Sequence, residues 1–316
     1  MIIELILQNN DFPQILFCFR GIFRQIRFFF IEEDERRANN LKKKIASIQL
    51  LTNFKVRVIC DRFEDCVGNV LQNISGQGKR LAPSFFFIDP FGPTGFSMQL
   101  LEKICGQDRS EVLINFSYQS LNQWFLKDPS KHKSIDLLFG SDVWRKVLTI
   151  GLPQEKENYL RLTYQSALEK LGWKVRPFCM INKHNQPQYY LFFATKSPLG
   201  MLAMKSAMWK SAPTGDFEYS DLSNIYQPNM FQQEFEKQYA QNLAEEIYSR
   251  HKGTSITKEN LLNEDVAWHP VCIRRHLTRA LTYLEYEISP PLVAGVTNRK
   301  SQRRGTYPDG CTITFS

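Results

Sequence analysis

The stretch Ser84-Phe-Phe-Phe-Ile88, running into Asp89-Pro90-Phe91-Gly92, decides the fold. A short apolar run cut off by a turn signal reads as a strand buried on both faces, the kind found in parallel sheets. Asp89 comes where such a strand delivers its C-terminal end, the edge at which open α/β sheets bind ligands. The Pro-Phe-Gly that follows makes a stiff turn. Working outward, Arg27-Phe-Phe-Phe-Ile31 precedes Glu32-Glu33-Asp34, Lys55-Val-Arg-Val-Ile59 precedes Asp61, and Glu111-Val-Leu-Ile-Asn115 follows. Between them, 34–48, 63–74 and 96–105 have helical spacing. Strands alternating with helices predict a mostly parallel, Rossmann-like sheet covered on both faces.

Beyond Phe116 the pattern is helical through Trp124, over 137–148 and over 159–171. Strands over 173–181 and 189–195, joined by the polar turn 182–188, predict a hairpin closing one sheet edge. A helix over 198–210 follows, and 211–229, rich in Pro, Gly, Ser and Asp, reads as a linker. Phe231, Phe235, Tyr239, Leu243 and Ile247 mark one apolar helical face. Thr257 is the expected N-cap of a short helix with Leu261 and Leu262 inward. A third helix, about 269–286, buries Ile273, Leu277, Leu281 and Leu284 and exposes Arg274, Arg275, Thr278 and Arg279. An extended stretch near Ile288, the tip Arg299-Lys300-Ser-Gln-Arg303-Arg304 and a strand over 311–315 complete the order of a winged helix. A small helical cap with solvated charges is the competing reading. The expected domains are therefore 27–210, an α/β unit, and 230–316, a winged-helix-like unit.

The bulk properties narrow the partners. The 316 residues carry a net charge of +8, which favours an anionic partner such as nucleic acid, although the charges of both signs are interspersed. Seven cysteines without a CxxC pair suggest neither a disulfide framework nor a zinc cluster, and scattered histidines give no metal spacing. Apolar runs are too short for a membrane span, and the first 19 residues lack the features of a signal peptide. A cytoplasmic protein is the expectation.

Candidate site residues sit at the strand ends. Asp89 can accept a hydrogen bond from an exocyclic amine while Phe91, between Pro90 and Gly92, stacks on a flat base. Alternatively, Asp89 caps the helix beginning near Ser97. Glu32 ends its strand as the ribose-binding acid of a nucleotide-binding fold does, although acids also favour the first turn of a helix. Asp61 can reach an adenine amine, or is an ordinary loop acid; Asn115 is a weaker candidate. Arg274, Arg275, Arg279, Arg299, Lys300, Arg303 and Arg304 are the candidate nucleic-acid contacts.

Phe85-Phe-Phe-Ile-Asp-Pro-Phe-Gly92, with Phe29-Phe-Ile-Glu-Glu-Asp-Glu-Arg36 before it and Glu111-Val-Leu-Ile-Asn-Phe116 after it, resembles the bacterial three-Cys-motif partner protein family. Tyr189-Tyr-Leu-Phe-Phe-Ala-Thr195 and Gly200-Met-Leu-Ala-Met-Lys205 look like later signatures of that family. The resemblance covers roughly 27–210 and implies a class I S-adenosylmethionine-dependent methyltransferase-like fold, with a partner protein bearing the three-cysteine motif. It makes Glu32 the ribose-binding acid, puts Asp61 near the adenine, and sets Asp89 to Gly92 in the place of the Asp-Pro-Pro-aromatic motif of amino-methylating enzymes. Phe91 stands where those enzymes carry the second proline.

The front of the chain departs from this pattern. The family resemblance implies a first strand ending in a glycine-rich cofactor loop, whereas 20–26 is too short for a parallel crossover and Gly21 stands alone. The expectation is a missing or degenerate first strand, with 1–26 not native to the fold, impaired S-adenosylmethionine binding, and an exposed apolar band including Phe28–Phe30 and Phe85–Phe87. Three functions compete: methyl transfer to a nucleic-acid base, non-catalytic nucleic-acid binding, and adaptor for a protein partner.

Overall fold

A computed structural model describes residues 25–90, 92, 94–212, 215–220, 232–299 and 305–316. The expected remnant 1–26 lies outside them up to residue 24. The architecture is α/β, with a two-stranded sheet, a mixed five-stranded sheet and a three-stranded antiparallel sheet.

β1 (Ile26–Glu32) pairs in parallel with β2 (Phe54–Cys60), joined by helix α1 (Glu35–Ala46). Asp34 caps α1, its carboxylate accepting from the Arg37 N–H at 2.8 Å. Helix α2 (Phe63–Gly76) leads to β3 (Ser84–Ile88), and α3 (Met98–Cys105) leads to β4 (Ser110–Phe116), which pairs in parallel with β3. Among the described residues the sheet does not run continuously from β1 to β3; the five-stranded sheet has the order β3-β4-β6-β5-β7. It is mixed because β6 (Pro187–Thr195) runs antiparallel to β4.

Four expectations are corrected. The helix expected over 137–148 is broken: α4 (His132–Phe139) ends at Gly140, whose φ of +67° suits a left-handed cap, and 143–149 is a 3-10 turn. A Cβ at Gly140 would sit 2.9 Å from the Met98 side chain. The hairpin does not close the edge, because the linker expected over 211–229 contains β7 (Glu218–Ser220), paired in parallel with β5 (Lys174–Ile181). The third C-terminal helix starts at Arg274, not near His269. Lastly, the apolar band is only partly exposed: Phe29 and Phe85 face solvent, whereas Phe30, Phe86 and Phe87 are buried.

The described residues divide into two compact units, those within 1–175 together with 188–194, and those within 176–187 together with 195–316. In the first, α5 (Pro153–Lys170) contributes Tyr164, whose ring stacks on Phe116 at 4.7 Å and meets Phe139 and Phe192 edge-on. In the second, α6 (Pro198–Ser211) is followed by α7 (Gln232–His251), strand β8 (Ser255–Thr257), and α8 (Lys258–Asn260), which continues as a wide turn, Leu261–Val266. Thr257 caps α8 as expected, accepting from the Asn260 N–H at 3.1 Å. Helix α9 (Arg274–Thr282) continues as the wide turn Tyr283–Glu287, and β9 (Val293–Val296) and β10 (Thr312–Phe315) close the module, with β10 between β8 and β9. Leu261, Leu277, Leu281, Leu284, Leu243 and Ile247 share its core. Strand β8 gave no sequence signal, because three residues are too few to show a period of two. Phe235 is exposed, since a strict four-residue spacing drifts around a 3.6-residue helix.

Candidate functional site

Parallel pairing of β3 and β4, with Ile88 opposite Ile114, brings Asp89 and Asn115 to adjacent strand ends. The Asn115 amide donates from Nδ2 to Asp89 Oδ1 at 2.6 Å. Its other atom, Oδ1, is buried with no hydrogen-bond partner among the described residues. Asp89 does not cap the following helix; Ser97 does, accepting from the Leu100 N–H while its hydroxyl donates to Glu64. The turn after Pro90 passes through Gly92 at φ +75°, where a Cβ would lie 3.2 Å from the Phe125 ring and 3.4 Å from Ser120 Oγ. Glycine is therefore required both by conformation and by close approach. Phe91 lies outside the described residues. Two residues past β4, burial and the neighbouring Glu157 push the Tyr118 phenol up to about 12, so it is a neutral hydrogen-bond donor.

Glu32 is not open to a ligand on all sides. Its Oε1 accepts from the Asp34 N–H at 3.0 Å and lies 3.4 Å from Arg37 Nη2. Asp61 is exposed, its backbone N–H donating to the Glu32 carbonyl and its carboxylate accepting from the Arg62 N–H. The two acids thus stand at neighbouring strand ends, each engaged by its own loop.

No family model matches this chain, and no curated protein or solved structure does.

Several candidate basic residues are ion-paired within the module, although the Arg275 and Arg279 side chains stay 44% and 50% exposed. Glu236 on α7, itself buried, receives both Arg275 and Arg279 from α9, and the Arg275 guanidinium also lies over the Trp209 ring at 5.0 Å. Arg299 makes a two-pronged pair with Glu285 at 2.8 and 2.6 Å, donates to the Thr306 carbonyl and covers Tyr307. Tyr307 donates to the same carboxylate at 2.6 Å. Arg274 is exposed at the start of α9. Lys300, Arg303 and Arg304 lie outside the described residues.

One polar cluster was not singled out from the sequence. Lys205 is fully buried, and its ammonium donates to the carbonyls of Val266, His269 and Cys272 at 2.7, 2.8 and 2.7 Å. Burial pushes it down to about 7, while the three carbonyls take all three N–H groups, which only the charged form supplies. The legible signal was a lysine at helical spacing among Met201, Leu202, Met208 and Trp209. His269 accepts at Nδ1 from the Val271 and Cys272 N–H groups and is pushed down to about 4 by burial, with Lys205 and Arg176 adding repulsion. Cys272 Sγ lies 3.8 Å from His269 Nε2, but burial drives the thiol up to about 12. A protonated thiol beside a neutral imidazole is a packed pair, not a nucleophile.

Proposed function

We propose that this chain binds nucleic acid through its C-terminal module. The observation that carries the reading is the order α7, β8, α8, α9, β9, β10, with β10 between its two partners and the sequence 297–311, which holds the basic run 299–304, joining β9 to β10. That is the order of a winged helix, in which the last of three helices offers its N-terminal residues to base edges or phosphates and the loop between the last two strands is the wing. Residues 232–316 carry eleven Lys or Arg against ten Asp or Glu, so binding rests on where the charges stand. With Arg275 and Arg279 held by Glu236, Arg274 and Thr278 become the contacts of α9, and Lys300, Arg303 and Arg304 those of the wing. Arg299 anchors the wing at its base through Glu285.

Binding of a labelled duplex at low salt, weakened at least tenfold by Arg274→Glu and steeply by added salt, is the expected result. A wild-type chain that ignores duplex at about 50 mM salt overturns the reading.

A second reading, methyl transfer to a base amine, is favoured by the Asp89–Asn115 pair and by the resemblance carried by residues 85–92. The acceptor side of such a site has its acid at a strand end beside a tight glycine turn. The cofactor side does not fit: Glu32 is engaged by Arg37 and Asp34, and the described residues contain no glycine-rich loop after a strand. Calorimetric titration with S-adenosylhomocysteine tests this reading, micromolar binding favouring it and absence of heat leaving the binding module.

A further inference from the structure

We propose that Trp124, with Lys127, Lys131 and Lys133, forms a surface for single-stranded nucleic acid on the first unit, independent of the winged-helix reading. Trp124 is 70% exposed, whereas Trp144, Trp173 and Trp209 are each at most 2% exposed. The indole is not on a loose loop. It belongs to the wide turn Leu121–Phe125, closed by the Leu126 N–H on the Leu121 carbonyl at 3.0 Å. Leu121 and Leu126 are buried on either side of it, and Phe125 lies against Gly92. Such wide turns rotate a side chain off the regular helical face and recur at functional sites.

The lysines follow directly in sequence, on a segment tied back to this turn. His132 bonds to the Leu126 carbonyl at 3.2 Å and sets its ring edge-on to Trp144 at 5.0 Å, folding the start of α4 back towards the Trp124 turn. Lys127, Lys131 and Lys133 are all exposed. The intervening acid, Asp128, faces into the turn, accepting from the Ser130 N–H and hydroxyl at 3.0 and 2.7 Å. An exposed indole followed within nine residues by three exposed lysines matches a base and its flanking phosphates. A single strand is the occupant, because only an unstacked base offers its face. RNA and DNA share that chemistry.

The test measures anisotropy of labelled oligothymidylate and oligouridylate, each about twenty nucleotides long, at about 50 mM salt. Binding should fall about tenfold in Trp124→Ala, be largely kept in Trp124→Phe, and be lost when Lys127, Lys131 and Lys133 are all changed to Glu. Oligonucleotide should also quench the iodide-accessible indole emission of the wild type. Unchanged melting of Trp124→Ala separates lost binding from lost fold. Failure of the wild type to bind either oligonucleotide, or Trp124→Ala and the triple variant both binding like the wild type, overturns the proposal. Neither result depends on Arg274, so this surface and the C-terminal module fail separately.

Discussion

Asp89, just past the end of β3, and Asn115, one residue before the end of the neighbouring parallel strand β4, are joined by one hydrogen bond of 2.6 Å that spans 26 positions of sequence. The bond fixes the carboxylate over the strand ends and leaves the Asn115 carbonyl oxygen buried with no partner among the described residues. Asn115→Leu removes both the bond and the orphaned acceptor. It should therefore cost less stability, about 1 kcal/mol, than Asn115→Asp, which sets two carboxylates against each other and should cost about 2–3 kcal/mol. Urea unfolding of the two variants reads the difference, and equal losses would show that the pair is not coupled.

Lys205→Met should destabilise the second unit by about 3–5 kcal/mol, because it strands the carbonyls of Val266, His269 and Cys272 away from water. Those carbonyls lie in the segment leading into α9, so amide exchange at 266–273 should quicken more than exchange in β3 and β4. Uniform quickening would count against a local role.

Acid should destabilise the same unit. His276 is buried, accepts the Ile273 N–H at Nδ1 at 2.9 Å, and sets its ring 4.9 Å from that of Trp209. Burial, with Arg275, Arg279, His269 and Lys205 adding repulsion, pushes it down to about 3, and His269 is pushed down to about 4. Both folded-state values lie below the ordinary 6.5, so under pH 6.5 the unfolded chain takes up protons that the folded chain refuses. Stability is full above pH 6.5 and falls as pH drops towards 4, by about 1–2 kcal/mol per histidine at pH 5. His276→Leu should flatten the dependence of the urea midpoint on pH between 6.5 and 4.5. A slope identical to the wild type would assign the acid sensitivity elsewhere.

Glu285→Ala should leave Arg299 without its anionic partner and cost about 3 kcal/mol, whereas Glu285→Ala with Arg299→Leu should recover much of that loss. Thermal unfolding of the single and double variants measures the recovery. Additive losses would mean that the pair is held by its surroundings and not by its own charges.

Much of the frame was legible because it is written in short-range order. The runs 84–88 and 111–115 announce buried strands by being apolar and brief, and Ile273, Leu277, Leu281 and Leu284 announce by helical spacing the buried side of α9 and of the residues that flank it; all four are in the core. The acids at positions 32, 61 and 89 stand at strand ends for the same local reason. The break at Gly140 was not legible, because a single glycine in a helical pattern is tolerated unless its neighbours force a left-handed turn, and here the neighbour is Met98, far back in the chain.

The amino-acid sequence by itself determined the longer strands and most of the helices, and the acids at positions 32, 61 and 89 that stand at strand ends, since side-chain periodicity follows directly from backbone geometry; the three-residue strands β7 and β8 and the break at Gly140 it did not. Only the tertiary structure decided which charges are free to act. Arg275, Arg279 and Arg299 have the same composition and local spacing as solvated binding residues. Glu236, on a different helix, pairs with the first two, and Glu285, beyond a turn, with the third, at contact distance. Lys205 reads locally as a lysine on an apolar helical face, but only folding brings three carbonyls of one distant segment onto it. Electrostatic partnership depends on separation in space, and folding alone sets that separation.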